Sequence, residues 1–255
     1  MNYLFLRKEE SADDSSATVA GERARYITEF HNPVVGGEYS ALLESIGSAT
    51  AVCERISKES ITFRLEQRVE QTPRYLPVTV IQGICRPQTM KKVLQCAAMF
   101  RLERILFLPT QQGEKSYRHS KLFQGERQLS ELIKGAEQVG NAFLPTLTLV
   151  SSLKEGVDEI PTNSVRFIGE PGGGARIVHS VMKTIEEGSP FPQSIALAIG
   201  PEAGWSDDEL DFFHRSDFQR FSLGDDHLRV EIALTTIIGQ LLLWRDVAGS
   251  PLISE

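Results

Sequence analysis

Arg229 and Glu231 stand where the segment Leu223-Gly-Asp-Asp-His-Leu-Arg-Val-Glu231 turns into a long apolar helix. A glutamate suits a helix start because its charge complements the macrodipole, whereas an arginine opposes it. That misfit marks Arg229 as a functional cation, with Glu231 beside it. Upstream, the apolar run Ile195–Ile199 ends in Gly200-Pro-Glu-Ala-Gly204. Pro201 fixes one φ angle and Gly204 admits a left-handed turn, so strand-end N–H and C=O groups can face a ligand. Glu202 in this loop reads either as a ligand contact or as an exposed loop acid. Two tight loops at strand ends build a pocket from backbone, which suits an uncharged, nucleoside-like cofactor. A third loop, Gly169-Glu-Pro-Gly-Gly-Gly-Ala-Arg176, spaces Gly169 and Gly174 as a Walker loop does, but Ala175-Arg176 replaces the required Lys-Ser/Thr. It therefore reads as backbone approaching an adenosine or methionine moiety, or as a plain connector.

The elements that must hold these loops follow from periodicity. After the proline-interrupted linker Gln71–Pro77, apolar runs at Val78–Ile84, Ile105–Leu108, Leu147–Val150, Val165–Ile168, Ile195–Ile199 and Arg220–Leu223 read as buried strands. Helical stretches at Thr89–Phe100, Lys121–Val139, Arg176–Glu187, Asp207–Arg215 and Val230–Arg245 separate most of them. This alternation predicts an α/β domain with a mostly parallel sheet covered on both faces. Ser206-Asp-Asp-Glu209 is a capping box, which sets where the chain leaves the Gly200–Trp205 loop. Trp205, Phe212 and Phe213 read as packing residues, with base stacking open for Trp205. The last helix is apolar around most of its circumference and must be buried, in the core or between subunits through Leu234–Trp244. Residues 1–70 read as all-β, with strands at Asn2–Arg7, Glu38–Ile46, Ala49–Ile56 and Ser60–Val69, and with Ser11–Gly21 as a loop.

Bulk properties narrow the function. The 255 residues carry a net charge of −7, yet residues 86–127 hold nine Lys/Arg against three acids. A basic face on an acidic protein is compatible with phosphate binding. The three cysteines and five histidines show no metal spacing, and an odd cysteine count argues against a disulfide framework. No apolar run reaches the length of a membrane span and the N-terminus is unlike a signal peptide, so a cytoplasmic location is expected. GxSxG, Cys–His and Asp-rich metal templates are all absent from the sequence.

In order and spacing, the two late loops resemble the last two motifs of the RsmE family, RNA methyltransferases of the SPOUT class. Ile199, Gly200, Pro201, Glu202, Gly204, Ser206 and Glu209 match I-G-P-E-G-G-F-S-x-x-E, with Ala203 and Trp205 departing. Leu223, Gly224, Leu228, Arg229, Glu231 and Ala233 match L-G-x-R-I-L-R-x-E-T-A, with Asp226, His227 and Ile232 departing. The middle of the chain is less faithful: Gln95–Arg101, Thr110–Gly113 (with Gln112) and Glu137–Asn141 stand where the family carries Q-K-A-T-E-L-G, S-E-R-S and E-Q-S-G-R, and two arginines are missing. The resemblance implies that these positions lie toward RNA; with the arginines missing, Lys115, Arg118 and Lys121 read as a substitute contact surface. It implies a PUA-like β-barrel over 1–70, a SPOUT domain over 77–249 with a trefoil knot, and a homodimer. It implies S-adenosyl-L-methionine (SAM) held by Ile168, Gly169, Glu170, Gly172, Ile199, Gly200, Pro201, Glu202, Gly204, Leu223, Gly224 and Leu228. The implied reaction is methylation of uridine N3 in small-subunit ribosomal RNA. Arg229 would stabilise the base anion, and Glu231 would orient Arg229 or take the proton. Another RNA nucleotide, or RNA binding without catalysis, are the alternatives.

Overall fold

The computed structural model describes residues 3–11, 13–172, 175–187 and 190–248. The chain divides into two compact units, residues 1–74 with 132–144, and residues 75–131 with 145–255.

The first unit contains β1 (Leu4–Leu6), β2 (Ser16–Ala20), α1 (Gly21–His31), β3 (Glu38–Leu43), β4 (Gly47–Ile56) and β5 (Ser60–Glu70). The strands form one sheet in the order β1-β3-β4-β5-β2. Shifts of register between Ser48 and Thr50 and between Cys53 and Arg55 bend β4 against β5. Alternate residues Ala17, Val19, Ala49, Ala51, Cys53, Ile61, Phe63 and Leu65 point into one core.

The first unit departs from the sequence expectation in two places. The N-terminal region is not all-β, because Gly21–His31 is a helix that buries Ala24 and Ile27 one turn apart and ends at Asn32 in the left-handed region. The stretch Ser11–Gly21 is not simply a loop: Ser16–Ala20 pairs antiparallel with β5, and burial of Ala17 and Val19 outweighs its polar flanks.

In the second unit the elements are β6 (Leu76–Gly83), α2 (Pro87–Met99), β7 (Leu102–Leu108), α3 (Arg127–Val139), β8 (Thr146–Leu149), α4 (Leu153–Asp158), β9 (Val165–Gly169), β10 (Ala175–Arg176), α5 (Ile177–Glu186), β11 (Ile195–Ile199), α6 (Asp207–Arg215), β12 (Gln219–Ser222) and α7 (Val230–Val247). The end of α3 and the segment after it cluster with the first unit. The strands form a seven-stranded sheet in the order β10-β12-β9-β11-β6-β7-β8, and every pairing in it is parallel. One face packs Ile81, Leu106, Ile168, Ala196 and Ala198 against Leu210 and Phe213 of α6. Val78, Val80, Ile195 and Leu197 alternate with these and are also fully buried, so both faces are covered. Each such side chain contributes about 1.5–3 kcal/mol of burial.

On α7 the buried side chains are Val230, Glu231, Leu234, Ile237, Ile238, Leu241 and Trp244. Most of the face expected between subunits is thus already inside the unit. The exposed face instead carries Ile232, Thr236, Gly239, Leu243 and Val247. No helix among the described residues is long and apolar enough to cross a membrane.

Candidate active site

In the parallel sheet, β12, β9 and β11 are neighbours, so their C-terminal ends open on one edge and their loops must meet. Ligand sites of open α/β sheets form at this edge. Here the three loops enclose a cavity of about 520 Å³, a volume suited to a small cofactor. Gly169, Glu170 and Pro171 line it after β9, Ile199 to Trp205 after β11, and Leu223, Gly224 and Asp226 to Val230 after β12; Leu210, Ala233 and Ile237 line it from α6 and α7.

The loop after β11 is the most firmly built. Gly204 N–H donates to Pro201 O at 2.9 Å, with Gly204 at φ +77°. The Glu202 carboxylate accepts from Arg86 N (3.2 Å) and Thr89 Oγ1 (3.1 Å), so it caps the start of α2 while its residue lines the cavity. Ser206 and Glu209 form the capping box, at 3.2 Å from Glu209 N to Ser206 Oγ and 2.8 Å from Ser206 N to Glu209 Oε2. The other oxygen of Glu209 accepts from Gln111 N at 2.8 Å, tying the loop after β7 to the same helix start. Trp205 packs edge-on against Phe213 with ring centroids 4.9 Å apart.

The remaining loops are linked to each other. Glu170 N donates to Phe221 O at 3.0 Å, and Arg220 Nε lies 2.9 Å from Glu170 Oε2. Ser222 Oγ donates to Gly224 O (2.6 Å) and accepts from Gly224 N (3.0 Å), shaping the turn out of β12. Beyond it Asp225 to Arg229 are exposed. Arg229 is the N-cap of α7: its carbonyl accepts from Ile232 N and Ala233 N, and its side chain makes no hydrogen bond or ion pair among the described residues.

Of the residues singled out by sequence, Gly169, Glu170, Ile199, Gly200, Pro201, Glu202, Gly204, Leu223, Gly224, Leu228 and Arg229 line the one cavity. Ile168 lies in the core behind it, 1% exposed. Gly172 is outside the lining and its N–H reaches Gly224 O at 3.4 Å; Gly174 lies outside the described residues. Glu231 is buried below the lining, and its carboxylate accepts from Lys92 Nζ of α2 at 2.8 Å. Burial works against its charge, but the Lys92 hydrogen bond and the helix-start backbone outweigh it and hold the carboxyl below the usual glutamate range. The charge of Arg229 also favours the Glu231 carboxylate, as expected, but its hydrogen-bonded partner is Lys92, 139 residues away, which no local pattern announces.

Glu137 and Asn141 are not surface groups facing a substrate. Glu137 is 2% exposed and accepts from Phe5 N (3.2 Å) and Tyr26 Oη (2.6 Å), and Asn141 Oδ1 accepts from Phe143 N at 3.1 Å. Lys115, Arg118 and Lys121 are exposed on the segment after β7. No cluster of three or more metal-ligating side chains occurs among the described residues. Sequence reasoning missed Gly83, where an added Cβ would lie 2.6 Å from Pro201 Cδ; only glycine lets β6 end against the Pro201 loop.

A profile of the RNA methyltransferase domain matches residues 72–242, which include all three loops. The chain belongs to this RNA methyltransferase family. Ribosomal RNA small subunit methyltransferase E 1 of Borreliella burgdorferi is 24% identical over 177 residues, covering 69% of this chain and 71% of that one. The small subunit methyltransferase E of Treponema pallidum is 28% identical over 159 residues, 62% of this chain and 58% of that one. Among solved structures, a Legionella pneumophila protein in complex with the cofactor SAM has a TM-score of 0.78 at 23% identity, covering 95% of this chain and 98% of that one. Ribosomal RNA small subunit methyltransferase E from Neisseria gonorrhoeae, bound to S-adenosyl methionine, has a TM-score of 0.74 at 18% identity, covering 95% and 97%. The methyltransferase domain thus shares its fold with proteins solved in their cofactor-bound form.

Proposed function

We propose that the protein methylates uridine N3 in small-subunit (16S) ribosomal RNA, with SAM as donor. The observation that carries this reading is the convergence of the three sequence-marked loops on one cavity at the C-terminal edge of the sheet, with Arg229 exposed at its wall. The residues fit the cofactor: the cradle is mostly backbone, and a Cβ on Gly200 would enter it 3.3 Å from Gly204 C and Trp205 Nε1. Backbone of Gly169–Pro171, Ile199–Gly204 and Leu223–Leu228 would hold SAM, with Ile168 supporting from behind and Gly172 bracing Gly224. Bound there, it supplies an electrophilic methyl group.

Uridine N3 carries a proton and is a weak nucleophile, so its negative form must be stabilised. Arg229 places a cation at the cavity wall for that purpose. Glu231 holds the start of α7 through Lys92, which positions Arg229 from below. Lys115, Arg118 and Lys121 supply phosphate contacts on the segment after β7. The bacterial relatives support a cytoplasmic setting on the ribosome. The N-terminal sheet, with residues 1–70, is read as a PUA-like RNA-binding barrel, and the last part of residues 77–249 as a trefoil knot, both on the motif resemblance. A homodimer is supported by Ile232, Leu243 and Val247, each about half exposed along one face of α7; a monodisperse monomer in sedimentation would exclude it.

The deciding experiment incubates the purified protein and SAM with small subunits from a strain lacking the gene, followed by nucleoside mass mapping. N3-methyluridine at one position is the expected product. Methylation at another nucleotide would redirect the substrate, and no methylation would leave only an RNA-binding role.

A further inference from the structure

His227 departs from the resembled motif, which has an apolar isoleucine at that place, and it lines the cavity two residues before Arg229. We propose that His227 is the proton acceptor for the target uridine. The inference rests on the cavity being the methyl-transfer site.

The other groups around the cavity are committed. Glu202 accepts from Arg86 N and Thr89 Oγ1, and Glu170 is paired with Arg220. Glu231 is buried, bound to Lys92 and held in its charged form below the usual range, which makes it a poor base. Arg229 cannot accept a proton in the working range. Two lining side chains remain exposed, with no hydrogen bond or ion pair among the described residues: Asp226 and His227. Of these, only an imidazole ordinarily titrates near neutral pH, where a base is most effective. Asp226, next to it in the chain and also a departure from the motif, brings a carboxylate to the same cavity wall, and Asp225 precedes it on the same loop. Arg229 lines the same cavity with the opposite sign, and Glu170 and Glu202 line it from the loops after β9 and β11 with their carboxylates engaged by Arg220 and by Arg86 N and Thr89 Oγ1.

The N3 proton passes to the imidazole, and the N3 electron pair forms the bond to the methyl carbon. The methyl–sulfur pair stays on sulfur, leaving a neutral thioether. Arg229 and His227 then divide the work: one stabilises the base anion, the other removes the proton that opposes it.

The test compares His227→Gln and His227→Ile with the unaltered protein on small ribosomal subunits. Single-turnover methylation should fall about 100-fold at pH 7 in both. The unaltered profile should rise with pH and then level off once the base is free of its proton; the variants should keep rising with pH, because N3 must then ionise unaided. Calorimetric affinity for S-adenosylhomocysteine should stay within about twofold, separating proton transfer from cofactor binding. Variant rates within threefold of the unaltered protein, or the same levelling profile, would overturn the assignment while leaving the methyltransferase reading intact. An unaltered protein that makes no N3-methyluridine would remove that reading, and this inference with it.

Discussion

The loops after β11 and β12 face the same cavity and are built in opposite ways. The first is bound at several points: Glu202 to α2, Glu209 to Ser206 and Gln111, Trp205 to Phe213. The second is shaped at its start by Ser222 and by the Gly172 N–H on Gly224 O, and then leaves Asp225 to Arg229 exposed. A backbone cradle works only when it does not move, since donors that must reorganise lose their advantage. Side chains that handle protons and charge must instead reach a substrate arriving from solvent. One loop is thus the template and the other the working edge.

Perturbing the template should have the largest effect. A Cβ at Gly200 already meets Gly204 C and Trp205 Nε1 at 3.3 Å, and valine adds two methyl groups. Gly200→Val should abolish measurable cofactor binding by calorimetry while far-UV circular dichroism is retained; an affinity within threefold of the unaltered protein would break the comparison.

On the working edge, Arg229→Ala should lower single-turnover methylation by about 100-fold or more, the scale of losing one preorganised charge. Melting temperature should hardly move, because the exposed side chain makes no hydrogen bond or ion pair among the described residues. Changing Lys115, Arg118 and Lys121 together to Ala should weaken RNA binding instead, flattening the slope of log K against log salt by about 2. Methylation at saturating RNA should remain near normal, which separates footprint from chemistry.

The smallest effect sharpens the boundary between the loops and their support. Lys92→Met leaves the buried Glu231 carboxylate without its partner. Because Lys92 is about half exposed, a loss of about 1–2 kcal/mol at neutral pH is expected, read as a drop of a few degrees in melting temperature. Glu231 has a lowered pKa, so its contribution is complete above the ordinary glutamate value and disappears as pH falls through the lowered one. The gap between variant and unaltered protein should therefore close in acid; a gap that persists there would show that Lys92 acts through packing.

Local signals were readable where neighbours in sequence do the work. The capping box predicted α6 at Asp207–Arg215, and the structure has it there. The strand–helix alternation of the second unit was likewise legible from the period of its apolar residues. Two features of the first unit were not. β2 depends on pairing with β5, which lies about 45 residues later, and α1 buries only Ala24 and Ile27 fully, with Tyr26 half-buried beside them. In the site, the glycine loops could be read because turns need particular residues. Lys92–Glu231, Gln111–Glu209 and Glu137–Tyr26 could not, because each joins residues from distant parts of the chain.

The sheet order also sets a timetable for synthesis. β6 is made early, yet one of its two flanking strands is β11, at Ile195–Ile199. At about 5–20 residues per second, a ribosome needs on the order of ten seconds to add the intervening chain. During that interval the Val78–Ile81 edge has no partner on that side, an apolar strand of the kind that invites wrong pairing. Such long-range parallel closure is intrinsically slow. The nascent protein should therefore depend on holding chaperones more than its size alone would suggest, and the cofactor cradle becomes available only after β12 has joined the sheet.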